Sequence, residues 1–107
     1  MSYRIEKFSS TLKSVLSNIF LNDFNDPELT ILSVSHVEVS KDLKNATVFV
    51  SSYEIGSDRL IEKLEKAKGF IKRELSKNMR LKYVPEITFQ FDTSFDFNQK
   101  TSIKNER

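Results

Sequence analysis

The longest regular pattern of apolar and polar positions lies between Asp58 and Met79 and predicts a helix. Apolar residues recur there at steps of three and four, the spacing that places side chains on one helical face. These residues are Leu60, Leu64, Ala67, Ile71 and Leu75. A second set, cationic with one aromatic member, recurs at similar spacing away from that face: Arg59, Lys63, Lys66, Phe70, Arg73, Lys77 and Arg80. We therefore expect this helix both to build the core and to carry a binding surface.

The patterns before the long helix predict another helix, followed by two strands. A helix from Tyr3 to Asn22, with Ser2 as its N-cap, has one apolar face. The face comprises Ile5, Phe8, Leu12, Val15, Leu16 and Ile19. Pro27 and the Asn and Asp residues before it end this helix. Residues 29–40 and 46–53 are rich in β-branched residues and predict a hairpin. The imperfect alternation of residues 29–40 predicts either a bulge or burial on both faces.

The remaining elements complete a two-layer α+β domain. Glu86–Asp92 alternates as a strand with Ile87, Phe89 and Phe91 inward. Gly69 lies inside the long helix, where Gly is about 1 kcal/mol less favourable than Ala, and so predicts a kink or a close contact. The order is α-β-β-α-kink-α-β, with helices on one face of a three-stranded sheet. We expect one domain over residues 1–97 and a polar, frayed tail over residues 98–107, with Phe95 and Phe97 packing locally.

Length and composition restrict the class of protein. The chain has 107 residues, enough for one modest core, and it has no Cys, which leaves no disulfide or thiolate metal site. No segment approaches the about 20 apolar residues of a membrane span. The N-terminus lacks the apolar run of a signal peptide. We expect a cytoplasmic monomer that does not bind a membrane.

The net charge of +2 conceals a strong polarisation along the chain. Residues 59–82 contain nine cations and three acids, a net charge of +6. Residues 23–58 contain seven acids and two cations, a net charge of −5. One strongly basic element attracts polyanions more than the same charge spread evenly would.

Catalysis and cofactor binding find little support in the residue types. His36 is the only histidine and lies in a predicted strand, which favours a structural role over general-base catalysis. The two glycines, Gly56 and Gly69, cannot form a Gly-rich phosphate loop. Asp23, Asp26 and Glu28 resemble turn and cap residues more than metal ligands. We expect no enzymatic activity, no cofactor and no metal.

The cationic set has two interpretations. A solvated helix face is the usual one, but such faces mix signs, whereas here like charges stand three and four residues apart at a cost of about 0.2–0.5 kcal/mol per pair. We therefore favour polyanion binding. Phe70 either turns into the core, which we favour, or stacks on a base of single-stranded RNA. An anionic membrane is a weaker candidate partner, because the other helix face is filled with core residues.

The chain resembles the ribosome-binding factor A family over nearly its whole length, from Arg4 to about Asp96. Ala67-Lys68-Gly69 is similar to the Ala-x-Gly kink of that family. The other matching stretches are RIEKFSSTLKSVLSNIF, the Asn25-Asp26-Pro27 turn, LTILSVSHVEVSKDLKNATVFVS with its Val-Ser-Lys-Asp-Leu hairpin, and MRLKYVPEITFQFD. The resemblance implies a type II KH-like fold in which the kink replaces the Gly-x-x-Gly loop of ordinary KH domains, so a standard KH groove for single strands is not expected.

The resemblance also implies a function. The family binds free small (30S) ribosomal subunits and aids late maturation of 16S rRNA, including its 5′ end, without being a nuclease, and it matters most in the cold. Our hypothesis is that the cations contact rRNA phosphates, while RNA shape and nearby ribosomal proteins supply specificity. The contact residues would be Arg59, Lys63, Lys66, Arg73, Lys77 and Arg80, flanked by Lys68, Lys72 and Lys82 and extended by Arg4 and Lys7.

Two alternatives remain open at this stage. One is a generic KH-like RNA-binding module with no ribosomal role, which would bind unrelated structured RNAs equally well. The other is a protein-interaction domain that uses the acidic region 23–58, whose binding to a basic partner would not depend on salt.

Overall fold

The computed structural model describes residues 3–93. Three helices and three strands follow one another along the chain: α1 Tyr3–Asn22, α2 Pro27–Thr30, β1 Ser33–Val39, β2 Asn45–Ser51, α3 Ser57–Met79 and β3 Glu86–Phe91. The sheet order is β1-β2-β3. β1 and β2 form an antiparallel hairpin. β3 pairs with β2 in parallel, so α3 is the crossover helix that a parallel pair requires.

One apolar core holds the two long helices against the sheet. In β2, Ala46, Val48 and Val50 are buried while the residues between them are partly exposed, so one face of the sheet is covered and the other meets solvent. β3 repeats the pattern with Ile87 and Phe89 buried, and Phe91 packs partly against the same core. The helical contribution to the fully buried core comes from Leu12, Leu16, Ile19, Phe20, Leu60, Leu64, Ile71 and Leu75. The predicted α+β class with helices on one face is confirmed.

The region after α1 differs from the prediction. Residues 29 and 30 were expected to begin the first strand, but they belong to the short helix α2. The cause is local: the Asp26 carboxylate accepts a hydrogen bond from the backbone N–H of Glu28 at 3.0 Å, and Pro27 occupies the first helical position, where its missing N–H costs nothing. β1 therefore begins only at Ser33. The predicted bulge is confirmed by a register shift between Val34 and His36.

α3 also departs from the prediction, because it is one continuous helix from Ser57 to Met79 and has no internal break. A Cβ placed on Gly69 would meet no atom within 4 Å, so no close contact explains this glycine. The helix starts after Gly56, which acts as N-cap without a side-chain hydrogen bond. β2 ends at Ser51, two residues before the predicted Tyr53.

Three expectations fall outside the described residues: the Ser2 cap, the packing of Phe95 and Phe97, and the tail 98–107. Within residues 3–93 no helix is long and apolar enough to cross a membrane.

Candidate nucleic-acid-binding surface

Two cations near the start of α3, Arg59 and Lys63, face α2. The Lys63 ammonium lies 2.5 Å from a carboxylate oxygen of Asp26 and 2.7 Å from one of Glu28. The Arg59 Nε lies 3.1 Å from the same Glu28 oxygen. Two predicted phosphate-binding cations are thus paired with carboxylates of their own chain: Lys63 is mostly buried in its pairs, whereas the Arg59 side chain stays 64% exposed. Their partners precede them by 31 to 37 residues, so helical periodicity alone could not reveal the pairing.

The pKa values of this cluster record the same pairing. The hydrogen bond from Lys63 lowers the pKa of the Asp26 carboxyl below its ordinary 3.8, and the backbone N–H of Glu28 lowers it further. The pKa of Glu28 is lowered chiefly by Lys63 and then by Arg59. In turn, the two carboxylates raise the pKa of Lys63 above 10.5. Because Asp26 also caps α2, the Asn25-Asp26-Pro27 turn both shapes a helix start and holds the first half of α3.

Two other predicted contact residues lie on the side of α3 that faces β3. The Lys72 ammonium is 3.5 Å from the Glu86 carboxylate. The Lys68 ammonium is 2.9 Å from Glu65 and stands 6.0 Å from the centre of the Phe89 ring. Only about a fifth of the Lys68 side chain is exposed. The structure therefore does not bring Lys68 and Lys72 together with the cations that face α2.

The second half of α3 presents cations that are much freer. Arg73 and Arg80 are exposed, and neither forms an ion pair within residues 3–93. Lys77 is 69% exposed, with Glu74 at 3.6 Å as its only ion-pair partner in that range. In the first half of α3, Lys66 is also free of close partners: it is 78% exposed and only loosely paired with Glu62 at 4.0 Å. Such exposed pairs contribute little and break readily when a phosphate competes.

The chain turns sharply where α3 ends. Arg80 adopts a left-handed conformation, with φ 54°, and its backbone N–H donates to the carbonyl of Ser76. The N–H of Leu81 donates to the same carbonyl at 3.2 Å. These bonds satisfy the last turn of the helix, as a left-handed C-terminal residue usually does. The next residues stay exposed, and Lys82 stands 5.7 Å from the ring centre of Tyr83.

The start of α1 meets the end of α3 at an open groove of about 560 Å³. Its lining residues come from α1, the β1–β2 turn and the end of α3: Tyr3, Arg4, Lys7, Phe8, Thr11, Leu43, Met79 and Leu81. The structure therefore brings Arg4 and Lys7 to the free, second half of the cationic helix, as the sequence-based hypothesis requires. We call the six exposed cations at this end the basic end: Arg4, Lys7, Arg73, Lys77, Arg80 and Lys82.

The aromatic residue in the predicted cationic set belongs to the core. Phe70 is half-buried, packs against the core cluster and meets the Phe24 ring edge-on at 5.1 Å between ring centres. The favoured interpretation is therefore confirmed. Sequence reasoning missed Tyr3 and Tyr83, which are 75% and 80% exposed beside the basic end. The adjacency of Tyr3 to Arg4 and of Tyr83 to Lys82 was the available signal.

The remaining candidate residues make local contacts. His36 is exposed on β1, where its Nε2 lies 3.2 Å from Glu38 and its ring lies 5.7 Å from that of Phe49. Asp42 holds the hairpin turn by accepting hydrogen bonds from the Ser40 hydroxyl at 2.7 Å and the Lys44 N–H at 3.0 Å. Within residues 3–93, no group of three or more His, Asp and Glu side chains is placed to hold a metal ion.

The helices lie on one face of a small mixed sheet, and one of them, α3, connects the parallel strands β2 and β3 and has a cationic end. This arrangement defines a KH-like α+β domain. A family model described as ribosome-binding factor A matches residues 4–103. The chain belongs to the ribosome-binding factor A family.

One relative agrees with this assignment, and two solved structures share the fold. The ribosome-binding factor A of Natranaerobius thermophilus is 44% identical over 96 residues, which span 87% of this chain and 72% of that protein. The crystal structure of the Thermus thermophilus factor superposes with a TM-score of 0.73 at 23% identity, covering 81% of this chain and 93% of that one. A homology model of the Thermus thermophilus factor, fitted into a cryo-EM map of a 30S complex, gives 0.69 at 24% identity, with coverages of 79% and 91%.

Proposed function

We propose that the protein binds the free small ribosomal subunit and aids late maturation of its 16S rRNA. Family membership supports this function, and a Thermus thermophilus member with the same fold has been fitted into a complex with the 30S particle. The observation that carries the contact surface is the basic end, where Arg73 and Arg80 lack acidic partners within residues 3–93. RNA phosphates are the natural ligand of such a cluster.

The proposed mechanism is binding without catalysis. Contacts between the basic end and phosphates give affinity and orientation but do not read bases, so specificity comes from the shape of the RNA and from neighbouring ribosomal proteins. We propose that a monomer, folded as one domain over residues 1–97, acts in the cytoplasm, where small subunits assemble. Its importance in the cold stays a prediction from the family resemblance.

The ion pairs of α3 support a smaller contact set than the one proposed from the sequence. Arg59 and Lys63 would have to give up Asp26 and Glu28 to reach a phosphate, and each broken pair reduces the gain in binding free energy. We therefore propose the basic end as the primary surface, Lys66 as a flanking contact, and Lys68 and Lys72 as residues outside it. The same pairing occupies two of the seven acids in region 23–58, which weakens the case for an acidic protein-binding surface.

Co-sedimentation tests the proposal. The purified protein is mixed with small subunits, large subunits and joined ribosomes at about 50 and 200 mM salt, the range over which phosphate-dominated binding weakens steeply. We expect association with free small subunits only, and much less of it at the higher salt. Equal association with all particles would leave only nonspecific RNA binding. Salt-independent association would contradict a phosphate-dominated surface.

A further inference from the structure

The groove at the basic end combines an apolar floor with a cationic rim. Phe8, Leu43, Met79 and Leu81 contribute apolar side chains, whereas Arg4 and Lys7 contribute positive charge. None of the lining residues within the described part of the chain is acidic. Its volume of about 560 Å³ lies within the range of small-ligand pockets, about 300–1,000 Å³. A ligand that fits it must be flat or apolar in one part and anionic in another.

Unfavourable backbone conformations converge on the same groove. Within residues 3–93, the two non-Gly residues with positive φ are Leu43, at 63°, and Arg80, at 54°. Leu43 lines the groove, and Arg80 stands between the lining residues Met79 and Leu81. Gly would occupy either position at lower free energy, and it is the usual residue after a helix C-terminus. Strained positions of this kind concentrate at binding sites, where the side chain is what the site needs.

The third feature is an exposed ring beside the cations. Tyr3 is 75% exposed, lines the groove and directly precedes Arg4. Unpaired RNA bases stack on exposed aromatic side chains, and the adjoining phosphates pair with Lys and Arg. Because most of its surface is exposed, the Tyr3 ring is available to a ligand.

From these three features we propose that the groove binds one unpaired nucleotide of RNA, with its base on Tyr3 and its phosphate between Arg4 and Lys7. This proposal rests on the proposed function and adds the class of RNA feature that the basic end recognises. A paired duplex offers phosphates but keeps its bases stacked inside, so it cannot fill the groove. An acidic peptide neutralises the cations but leaves the exposed ring without a flat partner.

The test compares two probes that carry the same phosphates. One is a fluorescein-labelled RNA of six adenosines, and the other is the same backbone with every residue abasic; fluorescence anisotropy measures both affinities at low salt. We expect the protein to bind the adenosine probe at least about five-fold more tightly, since one base stacked on an aromatic ring is worth that much. Equal affinity for the two probes would overturn the proposal.

Variants assign the preference to the groove. Tyr3→Ala should bind the abasic probe normally but lose the preference for adenosine. Tyr53→Ala is the matched control, because Tyr53 is 79% exposed and is not among the lining residues. Arg4→Gln should weaken both probes by a similar factor. Retention of the adenosine preference by Tyr3→Ala would overturn the proposal, as would equal binding of a six-residue polyglutamate peptide and the adenosine probe.

The same proteins separate this proposal from the proposed function. If the protein co-sediments with small subunits in a salt-sensitive way but does not distinguish the two probes, the nucleotide site is wrong and the ribosomal function stands. If Tyr3→Ala abolishes the adenosine preference but the parent protein does not associate with small subunits, the site is confirmed and the ribosomal function is wrong.

Discussion

The two halves of α3 carry cations at the same spacing but in different surroundings. In the first half, Arg59 and Lys63 are held by two carboxylates of the α2 region. In the second half and directly after it, Arg73 and Arg80 have no acidic partner among the described residues. Charge spacing along a helix thus identifies cations but does not show which of them are available. We infer that Arg59 and Lys63 serve stability, and we propose Arg73 and Arg80 as contacts for RNA.

The largest expected effect is on stability and concerns the core, to which both halves of α3 contribute. Leu64 and Leu75, one in each half, are both completely buried in the same core. We expect Leu64→Ala and Leu75→Ala each to lower the free energy of unfolding by about 3 kcal/mol, through lost burial and the cavity left behind. Urea denaturation measures this change. A large effect at Leu64 with almost none at Leu75 would show that the second half is not packed as described.

Charge reversal tests directly whether the second half of α3 binds small subunits. Arg73→Glu/Lys77→Glu should abolish small-subunit binding without unfolding the domain, because both side chains are exposed. If enough binding remains to be titrated, the slope of log affinity against log salt should become shallower by about two. Co-sedimentation over a salt series measures both effects. Intact binding would show that this half of α3 is not the contact surface.

The matched control for that reversal is Arg59→Glu/Lys63→Glu, which changes the net charge equally. Here we expect the thermal midpoint to fall, because the new carboxylates face Asp26 and Glu28, while the folded protein keeps most of its affinity for small subunits. If both reversals reduce binding equally, then total charge matters and the location of the cations does not.

At Arg80, stability and binding to small subunits should change in opposite directions. Arg80→Gly relieves a left-handed conformation that costs a non-Gly residue about 1–2 kcal/mol, so we expect the unfolding free energy to rise by about 1 kcal/mol. Binding to small subunits should weaken a few-fold because one cation is lost. Lys82→Gln is the control, since it loses the same charge without a gain in stability. A less stable Arg80→Gly protein would contradict this account of the helix end.

The smallest expected effect is the pH dependence of the stability that comes from the pairing of Lys63 with Asp26 and Glu28. Because the pKa values of Asp26 and Glu28 are lowered by folding, their pairing with Lys63 stabilises the protein above their ordinary values of 3.8 and 4.5 and is lost as the pH falls through the lowered pKa values. Lys63→Met should therefore be less stable than the parent at pH 7, and the difference should shrink below about pH 4. Thermal melts from pH 7 to 3 measure it.

Lys66→Met serves as the control for that series, because Lys66 is mostly exposed and has only a distant partner. Its stability relative to the parent should not change over the same pH range. A difference between the parent and Lys63→Met that stays constant from pH 7 to 3 would mean that the two carboxylates do not stabilise the fold through Lys63.

The spacing of apolar residues correctly predicted the regular elements of the fold. The bounds of α1, the apolar face of α3 and the alternation in β3 all follow from burial on one side of a regular element. The short helix α2 was missed because the β-branched run after Leu29 outweighed a capping arrangement that extends over only a few residues. Gly69 was misjudged because a single exposed glycine lowers helix stability without breaking a helix that tertiary contacts hold.

The candidate site was predictable only in part. The cationic set was visible in the sequence, and the hypothesis that Arg4 and Lys7 extend it agrees with their position beside the end of α3. The pairing of Lys63 with Asp26 was not visible, since it depends on how the chain returns after the hairpin. The groove and the exposure of Tyr3 were also hidden, because they need α1, the β1–β2 turn and α3 to meet.

The parallel pairing of β3 with β2 has a consequence for synthesis of the chain. The sheet is completed across the whole of α3, as Val48 pairs with Phe89, and such distant pairings form late in folding. The groove likewise joins Tyr3 to Leu81. During translation the N-terminal part emerges first, so the groove cannot be completed until Leu81 has left the exit tunnel, and the sheet cannot be completed until β3 has left it. A nascent chain therefore lacks the groove that we propose as a nucleotide site until the end of α3 and the residues after it have been made.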